Sequence, residues 1–150
     1  IFKGETINTP SMLCVEDYLD ALIWAKSVGG LDGLVARADA NFTALQSIVD
    51  ARPWLANLAA DPAIRSNTSV CLVFADPAIA AKGPDASAAF AKAVVSALEK
   101  EGVAYDIGAY RDAPPGLRIW CGATVETADV TALGPWLDWA YAKEKAALAG

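Results

Sequence analysis

Hydrophobic positions along this chain recur with a helical period over most of its length and with a strand period in one clear stretch. Val15, Tyr18, Leu19, Leu22 and Ile23 follow Pro10-Ser11 at helical spacing until Gly29-Gly30, which predicts a first helix over about residues 12–27. Leu31, Leu34, Val35, Ala38, Phe42, Leu45 and Val49 form a cleaner amphipathic stripe that ends at Arg52-Pro53, because the residue before a proline is pushed out of the α region. From Arg65 to Phe74 the period changes to two: Val70, Leu72 and Phe74 fall on one side, Ser69, Cys71 and Val73 on the other.

Residues 76–85, with Pro77, Gly83 and Pro84, read as a surface loop, and Asp85 is positioned to cap a helix carrying Phe90, Ala93, Val94, Ala97 and Leu98 up to Gly102. Residues 103–107 and 117–123 are short strand candidates around a Pro-Pro-Gly turn. A last helix from Thr127 or Asp129 carries Val130, Leu133, Leu137, Ala140 and Tyr141, and Pro135 is expected to kink or divide it. Strands near 65, 103 and 117, interleaved with helices on short connections, predict an α+β fold: a small, mainly antiparallel sheet covered by helices. No internal repeat and no break in composition marks a domain boundary.

Composition narrows the function classes. The 150 residues are 55% hydrophobic and 20% charged, with five Trp, four Tyr and four Phe, as expected for a folded soluble domain. The longest uncharged runs, residues 6–15, 40–49 and 66–75, are about half of the roughly 20 residues a membrane helix needs. Twelve basic against eighteen acidic residues give a net charge of −6 without a basic stripe, which argues against nucleic acid as a partner. With no His and three widely spaced cysteines, Cys14, Cys71 and Cys121, no metal site and no Ser-His or Cys-His catalytic pair is expected, and a reducing cytoplasm fits. The sequons Asn41-Phe42-Thr43 and Asn67-Thr68-Ser69 are read as chance matches. Ile1-Phe2-Lys3-Gly4 reads like the middle of a longer chain.

Three places offer chemistry. Asn8 and Thr9, just ahead of a helix start, suit an anion cradle, since unpaired N–H groups and the helix dipole favour phosphate there; the same stretch also reads as a capping turn. Arg118 lies between Leu117 and Ile119, so alternation puts it on the opposite face, beside Trp120. Its planar fork matches a carboxylate, which makes it a reader of a small acid; an ion pair with a nearby Asp or Glu is the alternative. Arg111, in the loop Gly108-Ala109-Tyr110-Arg111-Asp112, can reach a phosphate or stand solvated.

Thr6-Ile7-Asn8-Thr9-Pro10-Ser11, then Arg65-Ser66-Asn67-Thr68-Ser69-Val70, then Gly116-Leu117-Arg118 before the final helix, resemble in order and spacing the C-terminal region of the phosphoserine aminotransferase family, over nearly the whole chain. The resemblance implies the C-terminal small domain (residues 12–150, after a lead-in of residues 1–11) of a fold-type-I enzyme that uses pyridoxal 5′-phosphate. It implies amino transfer from glutamate to 3-phosphohydroxypyruvate, giving O-phosphoserine for serine biosynthesis, with a related phosphorylated substrate in pyridoxine biosynthesis, in a cytoplasmic homodimer. Asn8 and Thr9 would hold the cofactor phosphate across the dimer interface, Arg118 the substrate α-carboxylate, and Arg111 would lie near the substrate phosphate. The lysine that such chemistry needs would precede Ile1, so the chain alone is expected to be inactive, with no catalytic residue of its own. Where the family often has a His-Arg pair this chain has Tyr110-Arg111, and its continuation after Arg118, Ile119-Trp120-Cys121-Gly122-Ala123, marks a divergent branch. Two other readings are an aminotransferase of the alanine or serine–glyoxylate type and a non-enzymatic small-molecule-binding or oligomerisation module.

Overall fold

The computed structural model describes residues 8–149. These divide within one helix, between Ala36 and Arg37, into two compact units. In the first unit, α1 (Met12–Ser27) begins at Ser11, whose hydroxyl accepts from the Cys14 N–H at 3.5 Å. Gly29 and Gly30, both at positive φ, turn the chain into α2 (Gly30–Asp50). The expected helix is present, yet none of its residues is buried: Tyr18 and Ile23 are about two-thirds exposed, at 66% and 67%.

The second unit holds a three-stranded antiparallel sheet in the order β1 (Leu55–Asn57), β2 (Ser69–Phe74), β3 (Gly116–Trp120), together with the rest of α2, α3 (Pro77–Ala80), α4 (Pro84–Lys100) and α5 (Thr127–Ala149). The fold is α+β, as the periodicity predicts. Pairing Val70 with Ile119 and Leu72 with Leu117 puts four buried aliphatic side chains on one face. That face packs with Leu45 and Ile48 of α2, Phe90, Val94 and Leu98 of α4, and Val130, Leu133 and Leu137 of α5 in one core. The other face carries Cys71 opposite Arg118, and Ser69 opposite Trp120.

Gly116 is required where β3 approaches β2, because a Cβ there would lie 2.0 Å from the Leu72 carbonyl oxygen. Asn41, in a sequon, is fully buried and has no surface on which to carry a glycan. Pro135 lies within α5, which is not divided.

Four sequence expectations need correction. Residues 103–107 form no strand: Asp106 adopts φ 52, which breaks extension, and the pairing shrinks to one bridge between Gly108 and Leu117. The third strand is instead Leu55–Asn57, too short to show a period. The stretch 76–85 contains a helical turn, α3, capped by Asp76 through its hydrogen bond from the Ala78 N–H at 2.8 Å. Gly83, and not Asp85, is the N-cap of α4.

Asp76 also anchors the far end of α5. Its buried carboxylate accepts from Lys145 Nζ at 2.5 Å and from the Tyr141 hydroxyl, and the Tyr141 ring stacks on Trp54 with centroids 4.0 Å apart. The bonds from Lys145, then Tyr141, then the Ala78 N–H hold Asp76 down to about 2, below its ordinary 3.8, while the bond to Asp76 lifts Lys145 to about 12. A depressed carboxylate stabilises the fold above its unfolded pKa and loses that contribution as pH falls through the folded value. Wild-type stability should therefore drop between about pH 4 and pH 2 more steeply than that of Asp76→Asn, as read by denaturant unfolding at each pH.

Candidate functional site

Arg118 sits on β3 with its backbone fixed on both sides, by the pairing with Cys71 and by its own N–H, which donates to the Ile107 carbonyl at 2.8 Å. Alternation sends Leu117 and Ile119, 1% and 4% exposed, into the core. It sends the Arg118 side chain, 35% exposed, to the other face. There it lines a cavity of about 230 Å³ with Ser69, Tyr105, Asp106, Ile107 and Trp120. Trp120 shares its side, as the period of two requires, and is 54% exposed.

The guanidinium is not without a carboxylate. Nη2 donates to Asp106 Oδ2 at 3.0 Å, but the Asp106 side chain is 91% exposed. Nε is buried and has no hydrogen-bond partner among the described residues. Of the two sequence readings of Arg118, the ion pair is the one seen, and the side chain also lines the cleft. A carboxylate entering that cleft could accept from Nη2, the atom that the exposed Asp106 engages.

Arg111 is exposed and lines a second cavity, about 480 Å³, between α4 and the loop 108–115, with Lys92, Ser96, Tyr110 and Pro115 among its walls. The two arginines thus line separate cavities. Asn8 and Thr9 are described, exposed and ahead of Ser11; Thr6 and Ile7, in the same motif, and the rest of the lead-in up to residue 7 lie outside the described residues. Arg65, in the second motif, serves the backbone: it donates to the carbonyls of Ala59 at 2.8 Å and Ala60 at 3.1 Å.

Sequence reasoning missed two residues that shape the site. Asp106 has no signal in composition or period, and only its backbone conformation brings it to Arg118. Asn41, on α2, secures the loop after β3. Its amide donates to the carbonyls of Cys121, Gly122 and Val125 at 3.3, 3.1 and 2.9 Å, and Thr127 Oγ1 donates to its Oδ1 at 2.6 Å. Beside it, burial pushes the Cys121 thiol up to about 11, so that sulfur stays protonated. Among the described residues no group of three or more acidic or Cys side chains could hold a metal, and no helix is long and apolar enough to cross a membrane.

No family model matches the chain. It is 50% identical over 141 residues to the phosphoserine aminotransferase of Methanosarcina barkeri, covering 94% of this chain and 35% of that protein. Among solved structures it is similar to phosphoserine aminotransferase from Bacillus circulans subsp. alkalophilus, with a TM-score of 0.74, 20% identity, and coverage of 91% of this chain and 34% of that one. It is also similar to a pyridoxal phosphate-bound phosphoserine aminotransferase from Trichomonas vaginalis, with a TM-score of 0.71, 20% identity, and coverage of 89% and 34%. The chain spans about a third of the length of the curated relatives it matches.

Proposed function

We infer that the chain is the C-terminal part of a member of the phosphoserine aminotransferase family, and that the complete enzyme moves an amino group from glutamate to 3-phosphohydroxypyruvate, giving 2-oxoglutarate and O-phosphoserine. The observation that carries this reading is the half-identical match along 94% of the chain. Residues 1–11 would be the lead-in and residues 12–150 the small domain, in a cytoplasmic homodimer serving serine and, through a related phosphorylated substrate, pyridoxine biosynthesis.

The residues present suit the cofactor and substrates such an enzyme needs. Pyridoxal phosphate, when bound, supplies an electron sink for the carbon that exchanges its amino group. Asn8 and Thr9, an amide and a hydroxyl, both exposed, would donate hydrogen bonds to its phosphate across the dimer interface. Arg118 would hold the α-carboxylate of either substrate: its single, exposed internal partner and its cleft on the open sheet face support that role. Fixing that carboxylate orients the carbon that must lose and regain a proton. Arg111, in the larger cavity, would lie near the substrate phosphate.

The test is a substrate profile. The protein encoded with its upstream region should aminate 3-phosphohydroxypyruvate from glutamate in preference to pyruvate or glyoxylate. The present 150 residues alone, given pyridoxal phosphate, should show neither activity nor a visible cofactor band. Equal use of the unphosphorylated acids would shift the assignment to an alanine or serine–glyoxylate type.

A further inference from the structure

Two arginine–aspartate pairs in this chain differ in a way that bears on ligand binding. Arg52 and Asp138 meet bidentately, Nε to Oδ1 at 2.7 Å and Nη2 to Oδ2 at 2.6 Å, with the arginine side chain only 14% exposed. That is the geometry of a pair that holds structure together. Arg118 and Asp106 meet through one contact at 3.0 Å, Asp106 is 91% exposed, and the Arg118 Nε that a bidentate partner would use is left without one.

We propose that Asp106 is a competing carboxylate: it occupies Arg118 in the free protein and yields it to an incoming small carboxylate, so that it sets how tightly such acids bind at this cleft. The proposal rests on the reading of Arg118 as the substrate-carboxylate grip. A one-point, solvent-exposed ion pair is weak and screened, so a ligand can displace it. A ligand carboxylate that meets the guanidinium at Nη2 competes with Asp106 for the same atom, and with Nε buried and unpartnered Asp106 has no second bond to hold it there.

The backbone gives Asp106 this position. It is the one non-glycine residue at positive φ among the described residues, with φ 52, and it directly precedes Ile107, whose carbonyl accepts the Arg118 N–H at 2.8 Å. Left-handed backbone is uncommon outside Gly, Asn and Asp and costs free energy. Here the turn places Asp106 in the wall of the cavity that Arg118 lines. Cys71 and Ser69, nearby on β2, are uncharged and offer no rival counter-ion.

The test titrates sodium acetate into the isotopically labelled chain at constant ionic strength, following the Arg118 Nε–H resonance by NMR. Asp106→Asn and Asp106→Gly both suit the left-handed backbone, and Gly also removes any side-chain acceptor. Both should tighten acetate binding about two- to fivefold, the range that corresponds to releasing an exposed ion pair. Structural damage would weaken binding, so a gain in affinity separates competition from a merely structural role. Arg118→Ala should abolish the saturable response, read on the neighbouring Trp120 indole N–H. If Arg118→Ala abolishes it while both Asp106 variants bind acetate no tighter than wild type, the competitor is refuted and the grip stands. If Arg118→Ala binds acetate as well as wild type, or no form binds it saturably, the grip is refuted and the competitor with it.

Discussion

With Arg118 as the proposed carboxylate grip of the proposed aminotransferase, Arg118→Ala in the full-length protein should lower kcat/KM for both amino donor and acceptor by about a hundredfold or more, the scale of losing a paired charged contact from a partly desolvated site. The fold should survive, because the residue left behind, Asp106, is almost wholly exposed and costs little unpaired. Arg118→Lys should recover only a small part of the loss. An ammonium is a point charge and cannot present two parallel N–H groups from the Nε edge of a planar fork. Steady-state kinetics of the two variants, beside unchanged unfolding midpoints, check this. Activity within about threefold of wild type in Arg118→Ala would mean that another group binds the carboxylate.

Asn41→Asp should destabilise the fold by about 3 kcal/mol or more, and more than Asn41→Leu. The amide donates to three backbone carbonyls and accepts from Thr127, so all its capacity toward the loop after β3 is used. Asp replaces the donor by an oxygen facing three other oxygens in a fully buried position. To fit, it must be protonated or the loop must open. Leu merely leaves the carbonyls unpaired. Denaturant melts should rank wild type above Leu above Asp, and raising the pH should widen the gap between Leu and Asp as the carboxyl is forced to ionise. Equal stability of the two variants would show that the loop is held by its own backbone.

These two residues show how legibility divided. Arg118 could be singled out from sequence because strand alternation is strict: with Leu117 and Ile119 inward, residue 118 must face the other way. Asn41 drew notice only as part of a sequon read as a chance match, and its structural role stayed hidden because its partners lie some 80 residues on in the chain. Asp76 sat in a stretch read as loop, while its partners Tyr141 and Lys145 lie one turn apart on α5. The strand expected at 103–107 failed at Asp106, where apolar alternation survives and the backbone turns left-handed.

The amino-acid order by itself determined the long helices, the central strand with its buried Val70 and Leu72, and the side of β3 on which an arginine emerges. Each of these is a local rule, the match of apolar spacing to a repeat of 3.6 or 2 residues. Tertiary structure alone decided that this arginine would have an exposed, one-point partner and a donor left over, that a lone asparagine would close the following loop, and that Leu55–Asn57 would complete the sheet. Such pairings depend on where distant segments are brought by loop closure and core packing, and no short-range period in the chain encodes them.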